Sequence, residues 1–192
     1  MRYTSAYVIS RENIEQFLHI LARQFQQPSN LYLTGNAVLV HMGLRASTTN
    51  ILQLVVETAD EASMVAQIQH SAEALHLTVE FTSPEDFVPI PWNWQDQARY
   101  VGPYGYIDVF YFDFVSLALG KMAQGSELDL HDVWLLLQHK LLTLHDLDNA
   151  YLEVQPRMGR KPYDHIQPQQ FAGRYAQIRK WLVKNLELAS QQ

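Results

Sequence analysis

The stretch from Leu31 to Val56 constrains the fold more than any other part of the chain. An apolar run, Leu31 to Thr34, meets Gly35-Asn36. Six residues, Ala37 to Met42, follow with the pattern of a short helix, and Gly43 is placed to end it as a C-cap. A polar stretch, Arg45 to Asn50, then leads into a second apolar run, Ile51 to Glu57. The order is strand, turn, short helix, strand.

Around this unit the periodicity is helical or strand-like in long blocks. Ile14, Phe17, Leu18, Leu21, Ala22 and Phe25 repeat at three and four, which predicts an amphipathic helix over Arg11 to Gln26 with Ser10 as N-cap. Asp60 opens a helix to Leu75, and Leu77 to Phe81 reads as a third strand. Ser83 to Gln97, with three prolines, Trp92 and Trp94, reads as an irregular loop. Arg99 to Val101 and Tyr106 to Phe112 read as strands around a Gly102–Gly105 turn. Helices are predicted over Phe114–Gln124, Leu130–Lys140 and Leu144–Val154. A last helix begins at Pro168, with Phe171, Tyr175, Ile178, Trp181, Leu182 and Leu186 on its apolar face. This is an α+β layout: a small mixed sheet flanked by helices over residues 1–112, and a helical half, 113–192, packed on it.

Composition closes several function classes. At 47% apolar the chain is not disordered, and its 192 residues can bury a sizeable core. The absence of cysteine excludes disulfide frameworks, thiol nucleophiles and cysteine-held zinc. No apolar run approaches the ~20 residues that span a bilayer, and residues 1–10 lack a signal-peptide pattern. The expectation is a soluble cytoplasmic protein without a membrane partner. Charge is uneven: residues 151–192 hold seven basic and three acidic side chains, the remainder seven basic and seventeen acidic. The basic region, with Arg157, Arg160 and Lys161, suits either a nucleic-acid or phosphate contact or a solvated helix face.

One motif is more specific. Gly35, Ala37, Gly43, Arg45, Thr48 and Thr49, ahead of Asn50-Ile51-Leu52 on the second strand, resemble the core of the nucleotidyltransferase superfamily, the DNA-polymerase-β-like fold. The likeness is closest to minimal bacterial members such as the AbiEii-type toxins. Lys121, Asp129 and Asp132 resemble the Lys … Asp-x-x-Asp helix pair of the same family, so the resemblance spans roughly residues 31–137. It implies a glycine turn whose backbone N–H groups meet a triphosphate, and an Asp-x-Asp pair plus a third carboxylate holding two Mg²⁺. It also implies phosphate contacts for Gly35, Asn36, Arg45 and Lys121, and a toxin–antitoxin or phage-defence setting by analogy.

The chain departs from the pattern at its chemical centre. Asn36 replaces the second turn residue, Asn50 and Leu52 stand at the Asp-x-Asp positions, and Asp108 is left as the single candidate for the third carboxylate. Asparagine is a weak ligand for a hard cation and leucine is none. Glu80 is the one residue that could join Asp108 in a rebuilt site. Arg45 is expected to hold a phosphate or to pair with Asp108. Asp129 and Asp132 orient Lys121 or cap their helix. Trp92, Trp94, Tyr104 and Tyr106 either stack a base or staple a loop. The histidines, His131, His139 and His145 included, lack metal-ligand spacing and read as surface or capping residues.

The reading is a catalytically inactive nucleotidyltransferase fold, without a metal or other cofactor, that binds an NTP or other phosphate ligand, an RNA or a protein. The alternative is an active enzyme using Mg²⁺, held by Asp108 with Glu80 or Asn50, to transfer NMP from NTP to a hydroxyl. A third possibility is nucleic-acid binding by the basic C-terminal region.

Overall fold

A computed structural model describes residues 8–47 and 49–189. Thr48, one of the motif residues, and residues 1–7 of the N-terminal reading lie outside the described residues. The protein is α+β, with a five-stranded mixed sheet flanked by helices and a helical C-terminal part. It divides into two compact units. One holds the chain up to Ser83 together with Ala98–Phe112; the other holds Pro84–Gln97 and the chain from Asp113 onward.

In the sheet unit, α1 (Arg11–Gln24) starts in a capping box: the Ser10 hydroxyl accepts from Asn13 N–H, and the Asn13 side chain accepts from Ser10 N–H. Then come β1 (Ser29–Leu33), α2 (Gly35–His41), β2 (Ile51–Thr58), α3 (Glu61–Glu73) and β3 (Thr78–Phe81). The helical unit takes the next segment, in which a 3₁₀ turn, Pro84–Asp86, and a single helical turn, α4 (Trp94–Gln97), interrupt the predicted loop. β4 (Arg99–Tyr104) and β5 (Ile107–Tyr111) complete a sheet of order β3-β2-β1-β5-β4. β1 runs antiparallel to β2 and parallel to β5.

The predicted Gly102–Gly105 turn is two residues long, Gly105-Tyr106, and β4 continues through Gly102 and Pro103. Proline is tolerated there because β4 is an edge strand, and a register shift between Tyr100 and Gly102 absorbs the irregularity. Gly105 has φ +61°, the left-handed value that a two-residue hairpin demands of its first central residue.

One sheet face forms the core. Leu31, Leu33, Leu52, Leu54, Ile107 and Val109 are at most 1% exposed, alongside buried Ile14, Phe17, Leu18 and Leu21 of α1. Each such side chain contributes about 1.5–3 kcal/mol by leaving water. The opposite face carries Asn30, Tyr32, Gln53, Glu57, Glu80, Asp108 and Phe110, which the register sets in line across the strands.

The helical unit comprises α5 (Phe114–Gln124), α6 (Glu127–Gln138), α7 (Leu144–Val154), a 3₁₀ turn at Gln155–Arg157 and α8 (Pro168–Ala189). Asp113, Ser126 and Thr143 cap α5, α6 and α7 through side-chain oxygens. α6 begins three residues before the predicted Leu130, because Ser126 and Asp129 form a capping box that extends it. Phe171, Tyr175, Ile178 and Leu182 of α8 are buried, whereas Trp181, expected on that face, is 42% exposed.

Candidate functional site

Gly35 and Asn36 follow β1 directly, and α2 begins on them. Gln53 fills this turn. Its Oε1 accepts from the backbone N–H of Asn36 at 3.2 Å, and its Nε2 donates to Glu80 Oε2 at 3.4 Å. A Cβ at Gly35 would stand 1.9 Å from the Gln53 Oε1, and Gly35 has φ +54°. Glycine is therefore favoured by the backbone, and a side chain there would displace the end of Gln53 from the turn. Thr34 closes the same corner by donating from its hydroxyl to the Thr82 carbonyl at 3.0 Å.

The Asp-x-Asp positions do not converge on this turn. Leu52 is 0% exposed and belongs to the core face, so a carboxylate there would be buried among Leu31, Leu33 and Leu54. Asn50 gives its side-chain N–H groups to the His76 carbonyl and to Thr78 Oγ1. The side chain aimed along the other face beside the turn is Gln53, one residue out of step with the pattern, and it is neutral.

Asp108 lies at the wrong end of the sheet for the role expected of it. It pairs with Asn30, five residues before Gly35, which places it about 16 Å from the turn along β1. Its carboxylate accepts from the exposed Tyr100 hydroxyl at 3.0 Å. Glu80 cannot join it. β2 and β1 lie between their strands, a separation of about 14 Å across the sheet and about 13 Å along it. The rebuilt carboxylate pair is thus corrected by sheet order and register, neither of which a single sequence specifies. The donors offered here do not fit Mg²⁺, which needs carboxylate oxygens converging in octahedral geometry. Among the described residues, no group of three His, Asp or Glu could hold a metal ion.

Near Asp108 the sheet face carries an aromatic ladder. Phe110 stacks on Tyr32 at 5.2 Å and meets Tyr100 at 5.3 Å, and Tyr32 donates to Glu57 at 2.8 Å. Burial and the Glu57 carboxylate push the Tyr32 phenol far above its ordinary value, so it stays a donor. Arg45 sits half-buried in the segment after α2, beyond Gly43.

Lys121 belongs to the helical unit and is 5% exposed. Its ammonium donates to Asp132 at 2.6 Å and to Asp129 at 3.4 Å, joining α5 to α6. Asp132 is 1% exposed. Lys121, expected to contact a phosphate, is thus placed against two carboxylates of its own unit. Asp129 does cap its helix, while Asp132 is the buried counter-ion.

One polar cluster was not anticipated. His41 ends α2 and is 2% exposed. It lies 2.9 Å from Glu15 through Nε2 and 2.8 Å from the Tyr111 hydroxyl through Nδ1. The carboxylate only accepts, so Nε2 carries the proton and Nδ1 accepts from Tyr111. Tyr104 donates to the other Glu15 oxygen. Burial holds the imidazole below its ordinary pKa despite the nearby carboxylate, so the His41–Glu15 contact is a hydrogen bond of neutral histidine. Burial also pushes Glu15 upward, but its bonds from Tyr104 and His41 outweigh that and leave it low. The chain Tyr111–His41–Glu15–Tyr104 ties α1 and α2 to β4 and β5. A lone histidine in the apolar segment Ala37–Met42 was the signal available for it.

In the helical unit, Trp92 is 77% exposed and stands over the Arg157 guanidinium at 4.3 Å. Trp92 does not staple its loop by burial. Tyr106 is likewise 59% exposed, while Tyr104 is taken up by Glu15. Among the histidines, His131 stacks on Trp134 at 5.5 Å and His145 bonds Asn149 at 3.1 Å.

No protein-family model matches the chain, and no curated protein or solved structure matches it either.

Proposed function

We propose that this chain is a non-catalytic binding protein built on a nucleotidyltransferase-like sheet. The observation that carries the reading is Gln53 lying in the Gly35–Asn36 turn, where it takes the Asn36 N–H that the family resemblance would give to a phosphate. Leu52 in the core and Asp108 at the far end of β1 support it, since metal-assisted transfer needs carboxylates that converge on the triphosphate. Arg45, Gly35 and Asn36 then serve the fold, and recognition falls to the surfaces of the two units.

The test is isothermal titration of ATP, GTP, CTP and UTP, each with and without Mg²⁺. The expected outcome is no magnesium-dependent binding. The active-enzyme reading has one observation in its favour, the Glu80 carboxylate beside Gln53. Magnesium-dependent NTP binding that is lost in Glu80→Ala or Asp108→Ala would restore it.

A further inference from the structure

Two features that are 65 residues apart in sequence meet in the helical unit: an exposed tryptophan and the start of the basic C-terminal region. Trp92 ends a run of four buried residues, Val88 to Pro91, two of them prolines, so its backbone is fixed from inside. Its own N–H donates to Glu153 of α7 at 3.2 Å. The Arg157 guanidinium lies under the ring and also donates to the Ile90 carbonyl, which pins it to the same loop. The indole therefore has one face on a guanidinium, and 77% of the residue surface is in water.

Exposing an indole forgoes the stabilisation that its burial would give, and what distinguishes Trp92 from other exposed apolar side chains is the guanidinium stacked on it. The Arg157 guanidinium already occupies one face of the ring and leaves the other open. A flat π-system attached to an anion suits an open indole face with exposed basic side chains following Arg157 in the chain. Arg160 and Lys161 follow Arg157 within one compact turn, in which Arg160 N–H donates to the Arg157 carbonyl. Both are exposed and form no ion pair among the described residues. Arg179, by contrast, is committed to Asp148 through two bonds of 2.7 Å.

We infer that Trp92 and Arg157 form a stacking platform for a base of single-stranded nucleic acid, with Arg160 and Lys161 taking the adjacent phosphates. This goes beyond the reading of the sheet unit and does not depend on the nucleotidyltransferase likeness. The experiment is fluorescence anisotropy of labelled oligo(U), oligo(dT) and an abasic strand of equal length, across a salt series. Oligo(U) or oligo(dT) should bind at least about tenfold tighter than the abasic strand, and Trp92→Ala should remove that difference. Tighter binding of oligo(U) assigns the site to RNA, and tighter oligo(dT) to DNA. The double variant Arg160→Gln/Lys161→Gln should lower the salt slope by about 1.4, near 0.7 for each lost phosphate contact. Trp92→Ala should keep the wild-type melting temperature, since the side chain is not in the core. Equal binding of the abasic strand, binding unchanged in Trp92→Ala, or no binding of any strand overturns the inference. None of these outcomes bears on magnesium-dependent NTP binding, so the two proposals fail separately.

Discussion

The two units hold their buried histidine and lysine differently. The sheet unit uses a hydrogen-bond chain, Tyr111–His41–Glu15–Tyr104, in which every donor has an acceptor and Glu15 is the one charged member. The helical unit uses ion pairs, with Lys121 buried against Asp132 and Arg179 held at the surface on Asp148. The difference teaches where each unit is vulnerable. Removing one member of a hydrogen-bond chain leaves a neutral group unpaired, whereas removing one member of a buried ion pair strands a charge.

The largest expected effect therefore lies in the helical unit. Lys121→Met should destabilise the protein by about 3–5 kcal/mol in chemical denaturation, because buried Asp132 loses the ammonium 2.6 Å away. The double variant Lys121→Met/Asp132→Leu should recover most of that loss; failure to recover would mean that the pair does more than neutralise itself. Next comes the turn of the sheet unit. Gly35→Ala forces an L-residue into φ +54° and drives a methyl into Gln53, for a cost of about 1–3 kcal/mol. Adding Gln53→Ala should relieve the collision and leave only the backbone part.

The units should also separate by pH. His41 is held below its ordinary 6.5, so its stability is fully present above that value and is lost as pH falls through the folded pKa. The Arg179 bonds hold the Asp148 carboxyl below its ordinary 3.8, so its contribution survives into acid and is lost only under that value. Melting temperature measured against pH should decline first just below 6.5, and His41→Gln should flatten that limb while leaving the acid limb in place. The smallest effect is at Asp108. Exposed and bonded to an exposed tyrosine, it should change stability by no more than about 0.5 kcal/mol as Asp108→Ala.

Periodicity made most of the elements legible. The face of α1, the extent of α3, both Leu31-to-Thr34 and Ile51-to-Glu57 strands, and the helical half all follow from spacing that local physics enforces. The α6 start was displaced because Ser126 caps more effectively than the run of leucines suggests. What the sequence left open was pairing. Motif spacing lined Asn50 and Leu52 up with a catalytic pair, yet side-chain parity on β2 aims Leu52 into the core and gives the open face to Gln53. The strand order that parts Glu80 from Asp108 likewise depends on long-range contacts that no local signal encodes. The Trp92–Arg157 contact was visible only as two separate features of the chain, an aromatic in an irregular loop and a basic region, and the fold joins them.

The most direct test of the proposal that this chain is a non-catalytic binding protein is electron paramagnetic resonance of Mn²⁺ titrated into the protein with ATP present. The account predicts that the Mn²⁺ signal matches that of ATP alone at every protein concentration. A protein-dependent loss of signal that disappears in Asp108→Ala or Glu80→Ala would contradict it.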